Sequence, residues 1–130
     1  MWSAGNLAVA EELIAPNYVQ HSQAGPTMEV TGIEGLKKYI EENRATFPDY
    51  KEEIDLIFAE GDYVAHLDII IGTQEGEMGA FPPSNKQMTL HAICIERLED
   101  GKIAETWAAW DNVTVLTQLG FLPPPQESKE

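Results

Sequence analysis

Tyr50-Lys51-Glu52-Glu53-Ile54-Asp55-Leu56-Ile57-Phe58 is the stretch on which the fold turns. Tyr50, Ile54, Leu56 and Phe58 alternate with Lys51, Glu53 and Asp55, the period of two of a half-buried strand. Upstream of it the period is helical. Leu7, Ala10, Leu13 and Ile14 fall at helical spacing and predict a first helix that ends at Pro16. Tyr18 to His21 reads as a short extended piece, and residues 22–27 as loop. Thr31 and Glu34 have capping-box spacing ahead of Ile33, Leu36, Tyr39 and Ile40, which share one helical face. Phe47-Pro48-Asp49 closes this second helix, because a residue before proline avoids the helical region.

Downstream the strands continue. Residues 63–74 form a second one, apolar on both faces around Ile69-Ile70-Ile71. A loop carrying Gly76, Gly79, Phe81, Pro82 and Pro83 precedes strands over 87–98 and 102–111, joined at Glu99-Asp100-Gly101-Lys102. A short helix over 112–119 stops at Gly120. Helices first and an antiparallel meander afterwards make an α+β domain, a curved sheet packed on N-terminal helices. Such a sheet can enclose an apolar pocket. The chain reads as a single domain over 1–122, with a disordered tail over 123–130.

Composition narrows the function. The 130 residues hold 8 Lys+Arg against 22 Asp+Glu, a net charge of −14. That surface repels phosphate backbones and anionic lipid, so neither nucleic acid nor membrane is expected as a partner. The single cysteine, Cys94, leans towards a reducing compartment, and no run of apolar residues reads as a membrane span or signal core. A cytoplasmic protein is expected. There is no Gly-rich phosphate loop, no dinucleotide fingerprint, and no zinc spacing among His21, His66 and His91. Neither metal nor cofactor is expected.

What remains is acid–base chemistry in an apolar pocket. Asp111 ends a strand that carries Trp107 and Trp110. A carboxylate taken out of water there has its charged form disfavoured, so its pKa should rise. If odd residues pair with odd across the hairpin, His91, Ile93, Ile95, Arg97, Glu105, Trp107 and Asp111 form one face. Ala92, Cys94, Ala104 and Ala108 then form the other. A bulged turn at Gly101 gives this pairing and places His91 on the face of Asp111. Asp111 can equally cap the helix that starts at Asn112. His91 and His66 can be ordinary half-buried strand residues, and His21 a solvated one. Trp107 and Trp110 point to opposite faces, so only one lines a pocket.

Several fragments, in order along nearly the whole chain, resemble the SnoaL-like polyketide cyclases, or ester cyclases. They are Trp2-Ser3-Ala4-Gly5-Asn6, Tyr18-Val19-Gln20-His21, Gly32-Ile33-Glu34-Gly35 and Phe47-Pro48-Asp49. Ala59-Glu60-Gly61-Asp62, Gly72-Thr73-Gln74-Glu75-Gly76 and Asp100-Gly101-Lys102-Ile103-Ala104-Glu105 leading to Trp107 and Asp111 continue the series, and Gln118-Leu119-Gly120 ends it. The resemblance implies the cone-shaped α+β barrel of nuclear transport factor 2 and ketosteroid isomerase, a deep apolar cavity for a small apolar molecule, and a homodimer or homotetramer through the outer sheet face. It implies a cofactor-independent cyclase that closes a ring by intramolecular aldol condensation. The acid–base residue of the family lands on Asp111; the hairpin register, not the resemblance, adds His91 to orient or donate to the substrate oxygen. Trp107 is expected as an apolar wall, and His21, His66 and Phe47 as further pocket lining. The family's loop histidine is Gln74 here. The fold also hosts isomerases, dehydratases, epoxide hydrolases and binding modules without catalysis, which stay open as alternatives.

Overall fold

A computed structural model describes residues 7–23 and 28–122. The expected tail over 123–130 and the Trp2–Asn6 fragment lie outside the described residues. A 3-10 turn over Leu7–Val9 leads into helix α1 (Ala10–Leu13), followed by strands β1 (Ile14–Gln23) and β2 (Met28–Thr31) and helix α2 (Gly32–Thr46). Strands β3 (Lys51–Glu60), β4 (Tyr63–Thr73), β5 (Gln87–Glu99) and β6 (Lys102–Trp110) then precede helix α3 (Asn112–Gln118). The sheet is ordered β2-β1-β6-β5-β4-β3. This is the α+β architecture anticipated from the change of period at Tyr50. No helix among the described residues is long and apolar enough to cross a membrane.

Three local readings are corrected. The first helix ends at Leu13, not at Pro16, and residues 14–23 form a long strand that runs parallel to β6. Thr31 stands at the N-cap of α2, but its side chain makes no capping bond. In β3 the pairing slips at Asp55, between Ile54↔Asp68 and Leu56↔Leu67. Such a bulge turns the following residues over. Tyr50 and Ile54 therefore share the concave phase, Ile54 still largely exposed at the sheet edge, while Leu56 and Phe58 face outward, although the alternation had placed all four together.

The apolar face of α2 is buried through Leu36 and Ile40 against Ile14, Tyr18 and Val30 of β1 and β2. A second cluster joins Phe47, Tyr50, Ile70, Met88, Leu90 and Ala92 to Val115 and Leu119 of α3. The helices thus close opposite parts of one concave sheet face, and the space between the two clusters is left open.

The loop after β4 is pinned over that opening. Gln74 is fully buried. Its Oε1 accepts from Ser84 N at 3.0 Å, and its Nε2 donates to Pro82 O at 3.0 Å and Gly76 O at 3.2 Å. The glutamine thus does for this loop what no histidine could, since an imidazole cannot donate two bonds from one atom while accepting through another. The backbone amides of Glu75 and Gly76 donate to Thr46 O at the end of α2. A Cβ at Gly76 would lie 2.2 Å from the Ala45 carbonyl oxygen, so only glycine allows this approach.

Gln74→Ala removes these bonds and strands the half-buried Ser84 amide. It should lower unfolding stability by about 2–3 kcal/mol, read by urea denaturation. An unchanged midpoint would mean that the loop is held by its backbone contacts alone.

Candidate functional site

Between the two clusters lies a cavity of about 980 Å³. Its sheet wall is made by even-numbered residues, His66 and Ile70 of β4, Met88, Leu90, Ala92, Cys94 and Glu96 of β5, and Thr106, Ala108 and Trp110 of β6, joined before the slip by Ile103. The hairpin explains why. Glu99 pairs with Lys102 across a tight turn in which Asp100 and Gly101 have φ of 52° and 78°, and the pairing then slips so that Arg97 faces Glu105 and Ile95 faces Trp107. Odd does pair with odd, but the extra residue is Ala104 in the strand, not the turn. The small residues Ala92, Cys94 and Ala108 share the concave face, where their size leaves room. The large odd residues stand on the convex face.

This face assignment displaces most of the expected site. Asp111 and His91 do not line the cavity. Asp111 is exposed and caps α3. Its Oδ1 accepts from the amides of Val113 at 3.0 Å and Thr114 at 3.2 Å, and its Oδ2 accepts from Thr114 Oγ1 at 2.7 Å. The bond from the Thr114 hydroxyl, joined by those from the two amides, holds its pKa below the ordinary value, opposite to the rise expected from burial. His91 is exposed on the convex face. Trp107 and His21 also lie on that face, stacked with ring centroids 5.6 Å apart. His21 is further engaged by Glu105 at 2.7 Å and Glu29 at 3.2 Å. Trp110, not Trp107, is the tryptophan of the cavity wall. Phe47 and His66 do line it.

His66 opens a set of residues that the sequence reading passed over. Its Nδ1 lies 2.6 Å from Asp68 Oδ1 and its Nε2 2.5 Å from Glu96 Oε1. Asp68 has no exposed surface and His66 only 9%. Just before the neighbouring strand, Tyr50 donates its hydroxyl to Oε2 of Glu52 in β3 at 2.9 Å, and Glu52 is hydrogen-bonded in turn to Asp68. Tyr50, Glu52, Asp68, His66 and Glu96 therefore form one chain across β3, β4 and β5. Burial drives the Glu52 carboxyl up to about 8, with the hydrogen bond and charge of Asp68 adding to the rise, and Tyr50 and His66 opposing it. The bond to Glu96, with a further one to Asp68, raises His66 to about 9 against the effect of burial. Burial also pushes the Cys94 thiol up to about 12, which keeps it protonated and inert.

His66, Asp68 and Cys94 present atoms within 4.8 Å of one another. The 2.6 Å between His66 and Asp68 is the spacing of a shared proton. Two ligands of one tetrahedral zinc stand about 3.3 Å apart, as bonds near 2 Å require. Across the cavity, Asn43 Nδ2 is the buried side-chain polar atom without a hydrogen-bond partner among the described residues.

The signal for the missed residues was phase. Glu52 lies between Tyr50 and Ile54 in the inward phase of β3. His66 and Asp68 share the phase of Ile70, and Glu96 that of Ala92 and Cys94. A charged residue in the apolar phase of a strand has to be paired or functional.

The cap geometry makes a direct prediction. Asp111→Ala should lower the melting temperature at pH 7. A lowered folded pKa gives stability that is complete above the unfolded value, 3.8, and is lost as pH falls through the folded one. The gap between wild type and variant should therefore close in acid, as followed by circular dichroism. An unchanged melt with lost turnover would return Asp111 to a catalytic role.

The family model for SnoaL-like polyketide cyclases matches residues 1–119. Among solved structures, IdmH, a candidate polyketide cyclase from Streptomyces antibioticus, is 31% identical with a TM-score of 0.77, over 92% of this chain and 90% of that one. AclR, a candidate hydroxylase from Streptomyces galilaeus, is 28% identical with a TM-score of 0.81, over 97% of this chain and 78% of that one. A protein of ketosteroid isomerase-like fold from Catenulispora acidiphila shares the fold at 17% identity and a TM-score of 0.80, over 97% and 91%. No curated protein matches the chain. On the family match, which runs through every described helix and strand, the chain belongs to the SnoaL-like polyketide cyclase family.

Proposed function

We propose that the protein is a cofactor-independent acid–base enzyme of the cyclase type, acting on an apolar carbonyl compound in the cavity. The observation that carries this reading is the buried chain from Tyr50 to Glu96, with Glu52 and His66 at the cavity wall. A carboxyl held near 8 is a far stronger base, once ionised, than an ordinary glutamate. In this reading Glu52 takes the proton from a carbon between two carbonyls. The carbanion attacks a second carbonyl carbon of the same molecule, forming the ring C–C bond. The electron pair of that C=O moves to its oxygen, which takes the proton back from Glu52. The products are a cyclic β-hydroxy ketone and the original carboxylate. Asn43 offers a donor for the enolate oxygen. His66, engaged on both sides by Asp68 and Glu96, positions the relay and balances its charge.

The relay stands in place of Asp111 and His91 as the catalytic pair. A non-catalytic binding module would show a solvated or capped acid facing the ligand site. Asp111 is capped and solvated but lies away from the cavity, whereas Glu52 stands at its wall and is shielded from water.

Hydrogen–deuterium exchange at the acidic C–H of an aryl β-keto ester, followed by NMR, tests the base directly. Glu52→Gln keeps the shape and an amide able to bond Tyr50 and Asp68. It should slow the catalysed exchange by about 10²–10⁴-fold without loss of fold. In the wild type the rate should rise with pH towards about 8, as Glu52 ionises, and fall beyond about 9, as His66 loses its proton. His66 also stabilises the fold fully below its unfolded value, 6.5, and less as pH passes through about 9, so the melting temperature should drop over that interval. Exchange that survives Glu52→Gln would refute the assignment.

A second copy of the chain is the expected partner. The convex face exposes Leu56, Phe58, Tyr63, Ile93 and Ile95 at 41–67% of their surface. Phe58, Tyr63 and Ile95 meet Trp107 in one shallow area of the kind that self-association covers. Light scattering at tens of micromolar should give a dimer or a tetramer, and Phe58→Glu should give a folded monomer. A wild-type monomer at that concentration would exclude the contact.

A further inference from the structure

Apart from His66, the charged groups around the cavity are of one sign. Glu42, Glu77 and Glu96 line it together with Glu52, whose raised carboxyl is largely protonated at pH 7, and no described lysine or arginine does. His66 is the one cation in the wall, and it lies between Asp68 and Glu96, so its charge is answered twice. Glu42 and Glu77 are exposed, one near the end of α2 and the other on the loop that Gln74 pins. Thr46 Oγ1 donates to Glu77 O at 2.8 Å and fixes that loop against the helix, which sets both carboxylates at the rim. Behind the rim the wall is aromatic: Tyr18, Tyr39, Phe47, Tyr50 and Trp110.

Each part of this arrangement favours the same kind of guest. Carboxylates around the entrance of a low-dielectric cleft focus the field, attracting cations and repelling anions. Aromatic faces hold an alkylated or protonated ammonium by cation–π attraction, and gain most where water is excluded. A carboxylate at the wall, such as Glu96, can accept a charge-assisted hydrogen bond from it. An anionic guest, by contrast, would have to pass the rim and remain in a wall with no cation left to pair with it.

From the cavity, its aromatic wall and its acidic rim we infer that the natural substrate is an apolar molecule carrying a protonated or quaternary amine. The inference rests on the cavity being the substrate chamber, and names the class of compound that the chamber selects.

Three soluble probes with the same carbon frame test it: 4-phenylbutylamine, 4-phenylbutanol and 4-phenylbutanoate, titrated calorimetrically at pH 7. The amine should bind at least about tenfold more tightly than the alcohol, and the carboxylate at least about tenfold more weakly. Added salt should weaken the amine and leave the alcohol unchanged, because only the charged guest feels the screened rim. Glu42→Gln with Glu77→Gln, both at exposed positions, should keep the melting temperature, reduce the preference for the amine and flatten its salt dependence. Equal affinities for amine and alcohol, or no amine binding at millimolar concentration, would overturn the inference. If the alcohol binds as well as the amine while Glu52→Gln still abolishes exchange, the acid–base reading stands and only the substrate class falls. If the amine is preferred while Glu52→Gln leaves exchange intact, the reverse holds.

Discussion

The middle of the concave sheet face is built from residues too small to fill it. Ala92, Cys94, Thr106 and Ala108 stand there, in the inward phase of β5 and β6. The helices rest at the two ends, α2 through Leu36 and Ile40, and α3 through Val115 and Leu119. Close packing elsewhere in the core then leaves the middle as a cavity. The bulge at Ala104 is what brings those alanines and the cysteine into one phase. Without that extra residue the hairpin would carry large side chains into the cavity on one strand and small ones on the other.

A hollow of this kind lowers the local dielectric, and the residues that face it feel the consequence. Glu52, Asp68 and Glu96 are carboxyl groups in the inward phase, and each is hydrogen-bonded within a chain that also holds Tyr50 and His66. Burial of several like-charged groups is tolerable only when protons are shared among them. The raised Glu52 and the raised His66 are two expressions of that one requirement. Asp111, by contrast, sits at a helix terminus in water, where three hydrogen bonds favour its charged form. The carboxyls of Glu52 and Asp111 are thus shifted in opposite directions in one small domain, one by burial at the cavity wall and the other by capping a helix in water.

The two sides of the sheet are also divided by chemistry. The inner wall is aromatic and acidic. The outer wall is apolar in its middle, with His21, Arg97 and Glu105 paired at one margin. A surface that is charged at the edge and apolar at the centre suits association, whereas the interior suits a guest.

Sequence alone determined the change from helical to two-residue period at Tyr50, the four strands from β3 to β6, the helix over residues 32–46 and the family. Those features depend on local periodicity and on turn residues, which each segment carries within itself. It also established that Trp107 and Trp110 face opposite ways, since side chains alternate along any strand. Which of the two faces encloses the cavity was a different matter. Trp107, His91 and Asp111 share a phase whose large residues suggested a pocket wall. The curvature of the assembled sheet put that phase outside, because the concave side has room for guests only where side chains are small. The β1–β6 pairing, the slip at Asp55 and the meeting of Glu52 with Asp68 and His66 depend on residues far apart in the chain. No window of sequence contains both partners of such a contact, so only the tertiary structure could bring them together.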